Sequence, residues 1–283
     1  MTDLQDAIDA IDTLKPIPPV ATQILILTED LNNSLTEIKD LILHDPTITA
    51  NVLRMCNSAY FGLARKVESV HDAIMLLGLD RIIELVLTVS LSDTFIDEYK
   101  GYGLGEGELW RHALLSAHVA KTLVNHYGIS ANKHLVFTAA LLKDIGKLIL
   151  GRYVAFSLEK INILVHSRGY SFDETEKEVI GMNHEELGAL IAEKWRFAEK
   201  LIYIIQNHHL LDKSARVNSE TVLIYLADIV CMLMAMNTGV DRLAYQFYGD
   251  ALKRMQLTED DLQQVIIETN ENRENIDGLL NLV

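Results

Sequence analysis

The chain has 283 residues, 49% hydrophobic and 23% charged, with only 4 Pro and 15 Gly, a composition that supports a large buried core and excludes disorder and low-complexity repeats. Its 40 acidic and 25 basic side chains give a formal charge of -15, which excludes a nucleic-acid backbone or an anionic membrane as the main partner, because both demand a basic surface. Cys56 and Cys231 supply neither a disulfide framework nor a zinc ribbon, and Met1-Thr2-Asp3 lacks the basic and apolar regions of a signal peptide, so a cytoplasmic setting is expected.

The expected fold class is all-α, with two helical lobes. Residues 1–13 form an N-terminal helix with Leu4, Ala7, Ile8 and Ile11 on one face and Asp3, Asp6, Asp9 and Asp12 on another. Pro16, Pro18 and Pro19 then predict an extended entry into a first lobe, residues 14–100. Its helices are expected at 20–28, at 36–43 with Ser34 as a cap, and after Asp45-Pro46, an N-cap followed by a proline at the first helical position. Residues 70–77 form another that stops at Gly78, and Asp80 caps the next, through Ser90. Tyr99 and Tyr102 are read as surface contact residues, Tyr60 and Phe61 as core.

The run 100–107, Lys-Gly-Tyr-Gly-Leu-Gly-Glu-Gly, marks the boundary with a second lobe, residues 108–236. Helices are expected there at 108–126, 134–150, 156–167, 184–195, 199–209 and 220–236. Asn183 with Glu186 three residues on makes a near capping box for the fourth. The apolar stretch 222–236 contains Asp228 and is too short to span a bilayer. Residues 237–283 are an acidic extension with a solvated helix at 262–269.

Of ten histidines, His44, His71, His118, His126, His134 and His166 read as surface or core positions. His112, His184, His208 and His209 stand in a different setting, together with Asp144 and Asp228, which interrupt apolar helices. A carboxylate there needs a cation or hydrogen-bond donors. Adjacent His208 and His209 are spread by roughly 100° on a helix, so both reach one site only where that helix end lines a cavity. Imidazoles and carboxylates from several helices can hold one or two divalent transition metals such as iron, manganese or zinc. Such a centre activates water and clamps a phosphoryl group. A purely structural core built from the same residues is the competing reading.

The ordered series His112, Lys143-Asp144-Ile145-Gly146-Lys147, His184, His208-His209, Asp228 resembles the HD superfamily of metal-dependent phosphohydrolases, and most closely its HDOD branch. The first lobe carries the resemblance too. Its segments are Leu14-Lys15-Pro16-Ile17-Pro18, His44-Asp45-Pro46, Leu53-Arg54-Met55-Cys56-Asn57-Ser58-Ala59-Tyr60-Phe61-Gly62, and Ser69-Val70-His71-Asp72-Ala73-Ile74 with Leu77-Gly78. Trp110-Arg111-His112, His184-Glu185-Glu186-Leu187-Gly188-Ala189 and Trp195 continue it.

The resemblance implies a bacterial, all-helical regulatory or signal-transduction protein. It also implies that Lys143 stands where relatives carry the metal-ligand histidine of the His-Asp pair, its ammonium pairing with Asp144 or Asp228. After His208-His209 comes Leu210-Leu211-Asp212-Lys213, unlike the Gly-Tyr-Pro of the HD-GYP branch that hydrolyses cyclic dinucleotides. The expected protein is therefore a pseudo-enzyme with a degenerate metal site and no catalytic residue, working through a protein partner. His112, Asp144, His184, His208, His209 and Asp228 are the residual ligands, and Lys143 and Lys147 modify the site. The alternative is a metal-dependent phosphohydrolase acting on a nucleotide or phosphoester, with Lys147 steadying the phosphate. A third reading has the cleft bind a nucleotide or second messenger without cleaving it. Nucleic-acid binding by the short first-lobe helices is opposed by the charge.

Overall fold

Turn and capping residues set most helix limits in this chain. The structure, a computed structural model, describes residues 2–28, 35–58, 60–234, 247–272 and 277–278. The expected cap Ser34, Ala59 of the Asn-Ser-Ala segment, and residues 235–246, which include the expected end of the 220–236 helix, lie outside these. Helix α1 (Thr2–Ala10) runs into a 3-10 turn, Ile11–Thr13, and its Ala7 is buried as the apolar face predicts.

Five helices follow: α2 (Pro19–Leu27), α3 (Leu35–His44), α4 (Pro46–Cys56), α5 (Val70–Leu77) and α6 (Leu79–Phe95). Pro19 begins α2 where its missing N–H removes nothing. Asp45 caps α4 by accepting from the Thr47 and Ile48 amides at 2.9 and 3.0 Å. Ser69 caps α5, and Gly78, at φ 82°, ends it. Asp80 does not cap α6 as expected. That helix already begins at Leu79, so Asp80 sits in its first turn.

The remaining helices are α7 (Glu108–His126), α8 (Lys133–Leu142), α9 (Lys147–Arg168), α10 (Phe172–Ile180), α11 (His184–Lys194), α12 (Glu199–Asn207), α13 (Ser219–Leu233), α14 (Gly249–Met255) and α15 (Glu259–Glu271). Among the described residues no strand forms, and Tyr99 and Leu104 make a lone antiparallel bridge. The chain is all-α. It divides into two compact units, one spanning Pro16–Thr94, the other joining α1 to Phe95–Glu268.

Three expectations are corrected in the second unit. The helix expected at 134–150 is two helices parted by a turn at residues 143–146. There the α-ladder gives way to tighter bonds, Ile145 N–H to Leu142 O, Lys147 N–H to Asp144 O and Leu148 N–H to Ile145 O. The helix expected at 156–167 is the outer part of α9. Tyr99 and Tyr102 are buried, not surface contact residues, because the glycine-rich run folds back on α9. A Cβ on Gly101 would collide with the Gly151 carbonyl oxygen. Helix α10 has no counterpart in the expected elements. A full capping box of Ser171 and Glu174 opens it, and Gly181, at φ 103°, closes it.

Candidate metal centre

Helices α7, α8 and α13 pack together, as do α11 and α12, and the polar interruptions of these apolar helices converge. His112 projects from α7, Lys143 and Asp144 from the 143–146 turn, Lys147 from the start of α9, and His184 from the start of α11. His208 and His209 follow the last turn of α12, and Asp228 lies in α13. All eight side chains are buried. The turn brings Lys143 and Asp144 inward together. It can do so because Gly146 lies against α11, where a Cβ would collide with the His184 carbonyl oxygen.

One half of the cluster is built around an ammonium. Lys143 Nζ bonds Asp144 Oδ2, lies 2.7 Å from Asp228 Oδ1 and 3.0 Å from His112 Nε2. Lys147 Nζ adds a second cation, 2.8 Å from Asp144 Oδ1. Burial pulls the Lys143 ammonium toward neutrality, but the Asp144 and Asp228 carboxylates outweigh it and hold its pKa above the ordinary lysine value. Burial likewise works against the two carboxylates, yet Lys143 first among the neighbouring charges holds both well below their usual range. His112 Nε2 is 2.8 Å from Asp228 Oδ1, and its Nδ1 is buried without a hydrogen-bond partner. A proton on Nδ1 would leave a buried N–H unsatisfied. A proton on Nε2 would instead face the Lys143 ammonium 3.0 Å away, so each tautomer leaves one conflict in this buried site.

The other half is built from lone pairs. His184 Nδ1 donates to Glu176 Oε2 at 2.8 Å, which leaves its Nε2 as an acceptor 2.9 Å from His209 Nε2. His208 Nδ1 donates to the Ile205 carbonyl oxygen at 2.8 Å, and its Nε2 is buried with no hydrogen-bond partner, 3.9 Å from Asp144 Oδ1. Burial pushes His208 down to about 3 and His209 well below its usual range. Both imidazoles are neutral across the physiological range, which is the form that ligates metals. His184, His208 and His209 offer nitrogens within 4.8 Å of one another. This half fits a transition-metal ion. His112, Asp144 and Asp228 also bring ligand atoms within 4.8 Å of one another, with Lys143 Nζ set between the two carboxylates.

A surrounding shell fixes these groups, and the sequence had not pointed to it. Glu176 Oε2 also accepts the His184 amide at 2.9 Å, while Tyr102 donates its hydroxyl to Glu176 Oε1 at 2.5 Å. Glu185 Oε1 accepts the His209 amide at 2.7 Å, and burial pushes its carboxyl up to about 8. Asp173 Oδ1 lies 3.3 Å from His184 Nδ1. Lys147 Nζ is held by Asp144 and lies 5.2 Å from the Tyr102 ring centroid. The one sequence signal for this shell is the Ser171-x-x-Glu174 box that announces α10.

The sequence profile of the HDOD domain matches residues 14–211. A protein of Treponema pallidum (strain Nichols) is 24% identical over 206 residues, 72% of this chain, and the chain spans 39% of that relative's length. Two solved structures share the fold. An HDOD domain protein of Geobacter sulfurreducens has a TM-score of 0.74 at 24% identity, covering 100% of this chain and 97% of its own. A Marinobacter aquaeolei VT8 protein named for signal transduction has a TM-score of 0.77 at 20% identity, covering 99% of this chain and 65% of its own. No described helix is long and apolar enough to cross a membrane.

Proposed function

The chain belongs to the HDOD domain family, and from that premise we propose that it is a non-catalytic regulatory protein of a signal-transduction system, its HD pocket held together by an internal ammonium. The observation that carries this reading is the place of Lys143, bonded to Asp144, 2.7 Å from Asp228 and 3.0 Å from His112. A charged lysine has no lone pair for a metal, and it holds the acidic groups that would ligate one. In this reading Lys143 replaces the histidine of the His-Asp pair, the pocket is a structural keystone, and output passes to a protein partner in the cytoplasm. The name of the Marinobacter aquaeolei protein supports the signalling part. Elemental analysis of chelator-free protein tests it beside a Lys143→His variant. No ion at the His112, Asp144 and Asp228 half in the wild type, with an ion gained by the variant, supports the reading. Phosphoester turnover abolished by Asp144→Ala sinks it.

A second reading follows from His208, whose neutral Nε2 is buried without a hydrogen-bond partner. His184, His208 and His209, with Asp144, would hold one iron, manganese or zinc ion. Such an ion, when bound, would polarise a phosphoryl oxygen. Glu176 and Glu185 would orient the ligands, and Lys147 would keep Asp144 ionised. Near-stoichiometric metal in wild-type protein, lost in His208→Ala, favours this reading over an empty pocket. Turnover of a nucleotide or phosphoester by that metal-loaded protein would make it an enzyme.

A further inference from the structure

Away from the pocket, α2 and α3 flank a groove of about 440 Å³ within the Pro16–Thr94 unit. It is lined by the apolar Ile26, Leu27 and Leu41 and by the polar Gln23, Glu37, Asp40 and His44. Two helix stripes face it. Ile26 and Leu27 come from α2, while Glu37, Asp40, Leu41 and His44 fall at i, i+3, i+4 and i+7 on α3. Ile26 is 57% exposed although its neighbours Ile24 and Leu25 are buried, so the core of the unit does not use it. Ile26, Leu27 and Leu41 lie together along one groove between two helices.

The polar lining says what fits. It carries two carboxylates, Glu37 and Asp40, one turn apart. His44 Nδ1 lies 2.6 Å from the Asp40 carbonyl oxygen. A trough between two helix ridges accepts a third helix whose apolar residues recur at i, i+3 or i+4, and i+7. Acidic groups in the lining select lysine or arginine beside that stripe. A second copy of this chain fits badly, because each copy carries a charge of -15.

We propose that the α2–α3 groove is a docking site for a basic amphipathic helix of another protein. It shares no residue with the His–Asp pocket and stands whether or not that pocket binds metal.

The probe is a fluorescein-labelled synthetic peptide of about 18 residues, with leucine at helical spacing and lysine on the flanks. Binding to the full chain is followed by anisotropy. A scrambled peptide of identical composition and a leucine–glutamate peptide are the controls. The ordered lysine peptide should bind at least about tenfold more tightly than either, and Ile26→Asp or Leu41→Asp should weaken it by about tenfold. Ile26→Asp discriminates mechanisms, since it adds a carboxylate. Purely electrostatic attraction to an acidic protein would tighten with that change, whereas loss of the apolar lining weakens binding. Met75→Asp, at an exposed residue of α5, should leave binding unchanged, with melting curves confirming that each variant folds. Equal binding of the scrambled peptide, or unchanged binding to Ile26→Asp, overturns the proposal. A concentration-dependent dimer of the free chain that Ile26→Asp abolishes also overturns it, by assigning the groove to a second copy.

Discussion

Lys143 Nζ stands 2.7 Å from Asp228 Oδ1, far apart in sequence and both shut away from water. Each makes the other tolerable. A buried carboxylate without its cation reverts to the neutral acid or destabilises the fold, so the pair ties α13 to the turn after α8 and neither partner can be removed alone without cost.

Replacing Lys143 with methionine should therefore destabilise the protein by about 3–5 kcal/mol at pH 7, the scale for removing one partner of a buried pair. The pH dependence carries a definite sign. In the wild type, Lys143 holds the Asp144 and Asp228 pKa values below their unfolded values. The stability this contributes is complete above about pH 4 and is lost only as pH falls through the depressed folded values. In the variant, desolvation is no longer outweighed at Asp228, whose folded pKa rises, so the variant gains relative stability as its carboxylate protonates. The gap between the two proteins should narrow from neutrality toward about pH 4. Denaturant unfolding in chelator across that range measures it, and a gap independent of pH contradicts the account.

Tyr102→Phe removes the hydroxyl that donates to Glu176 and little else. Loss of a buried bond to a carboxylate should cost about 2 kcal/mol. The His184 imidazole resonances should move as well, because Glu176 also holds its Nδ1. A variant as stable as wild type, with those resonances unchanged, would detach Tyr102 from the pocket.

Gly146→Ala places a Cβ against the His184 carbonyl oxygen and 2.8 Å from the Gly188 nitrogen. Gly146 has an ordinary helical φ of -63°, so the effect is steric and not conformational. Forcing that contact apart should cost about 3 kcal/mol and displace His184. Thermal melting reads the first effect, and imidazole NMR the second.

Glu176→Gln keeps the size of the side chain but removes one of the two oxygens that receive Tyr102 and His184. If the three imidazoles take zinc, its affinity should fall by about 10–100-fold, the usual effect of disturbing a ligand's hydrogen-bond partner. Competition with a chromogenic chelator measures this. Equal affinities would show that Glu176 does not orient His184 for a metal.

The convergence of His112, Asp144, His184, His208, His209 and Asp228 was legible because polar groups interrupting apolar helices need company inside the protein. The caps at Asp45 and Asn183 were legible because they are local. The break at residues 143–146 was not. Leu141, Leu142, Lys143 and Ile145 all suit a continuous helix, and only Gly146 and the burial of the Lys143 and Asp144 charges oppose it. Glu176 and Tyr102 were hidden for a related reason. Helix α10, Phe-Asp-Glu-Thr-Glu-Lys-Glu-Val-Ile, is polar enough to pass for surface, and residues 100–107 have the composition of a linker. Their value comes from distant partners that spacing along the chain does not encode.

A cation that is itself a side chain has no dissociation constant. Every chain carries Lys143 at fixed stoichiometry from synthesis, so a chelator cannot strip it and a competing ion cannot exchange with it. In the proposed reading, the His112 side of the pocket is thereby uncoupled from the metal supply of its surroundings.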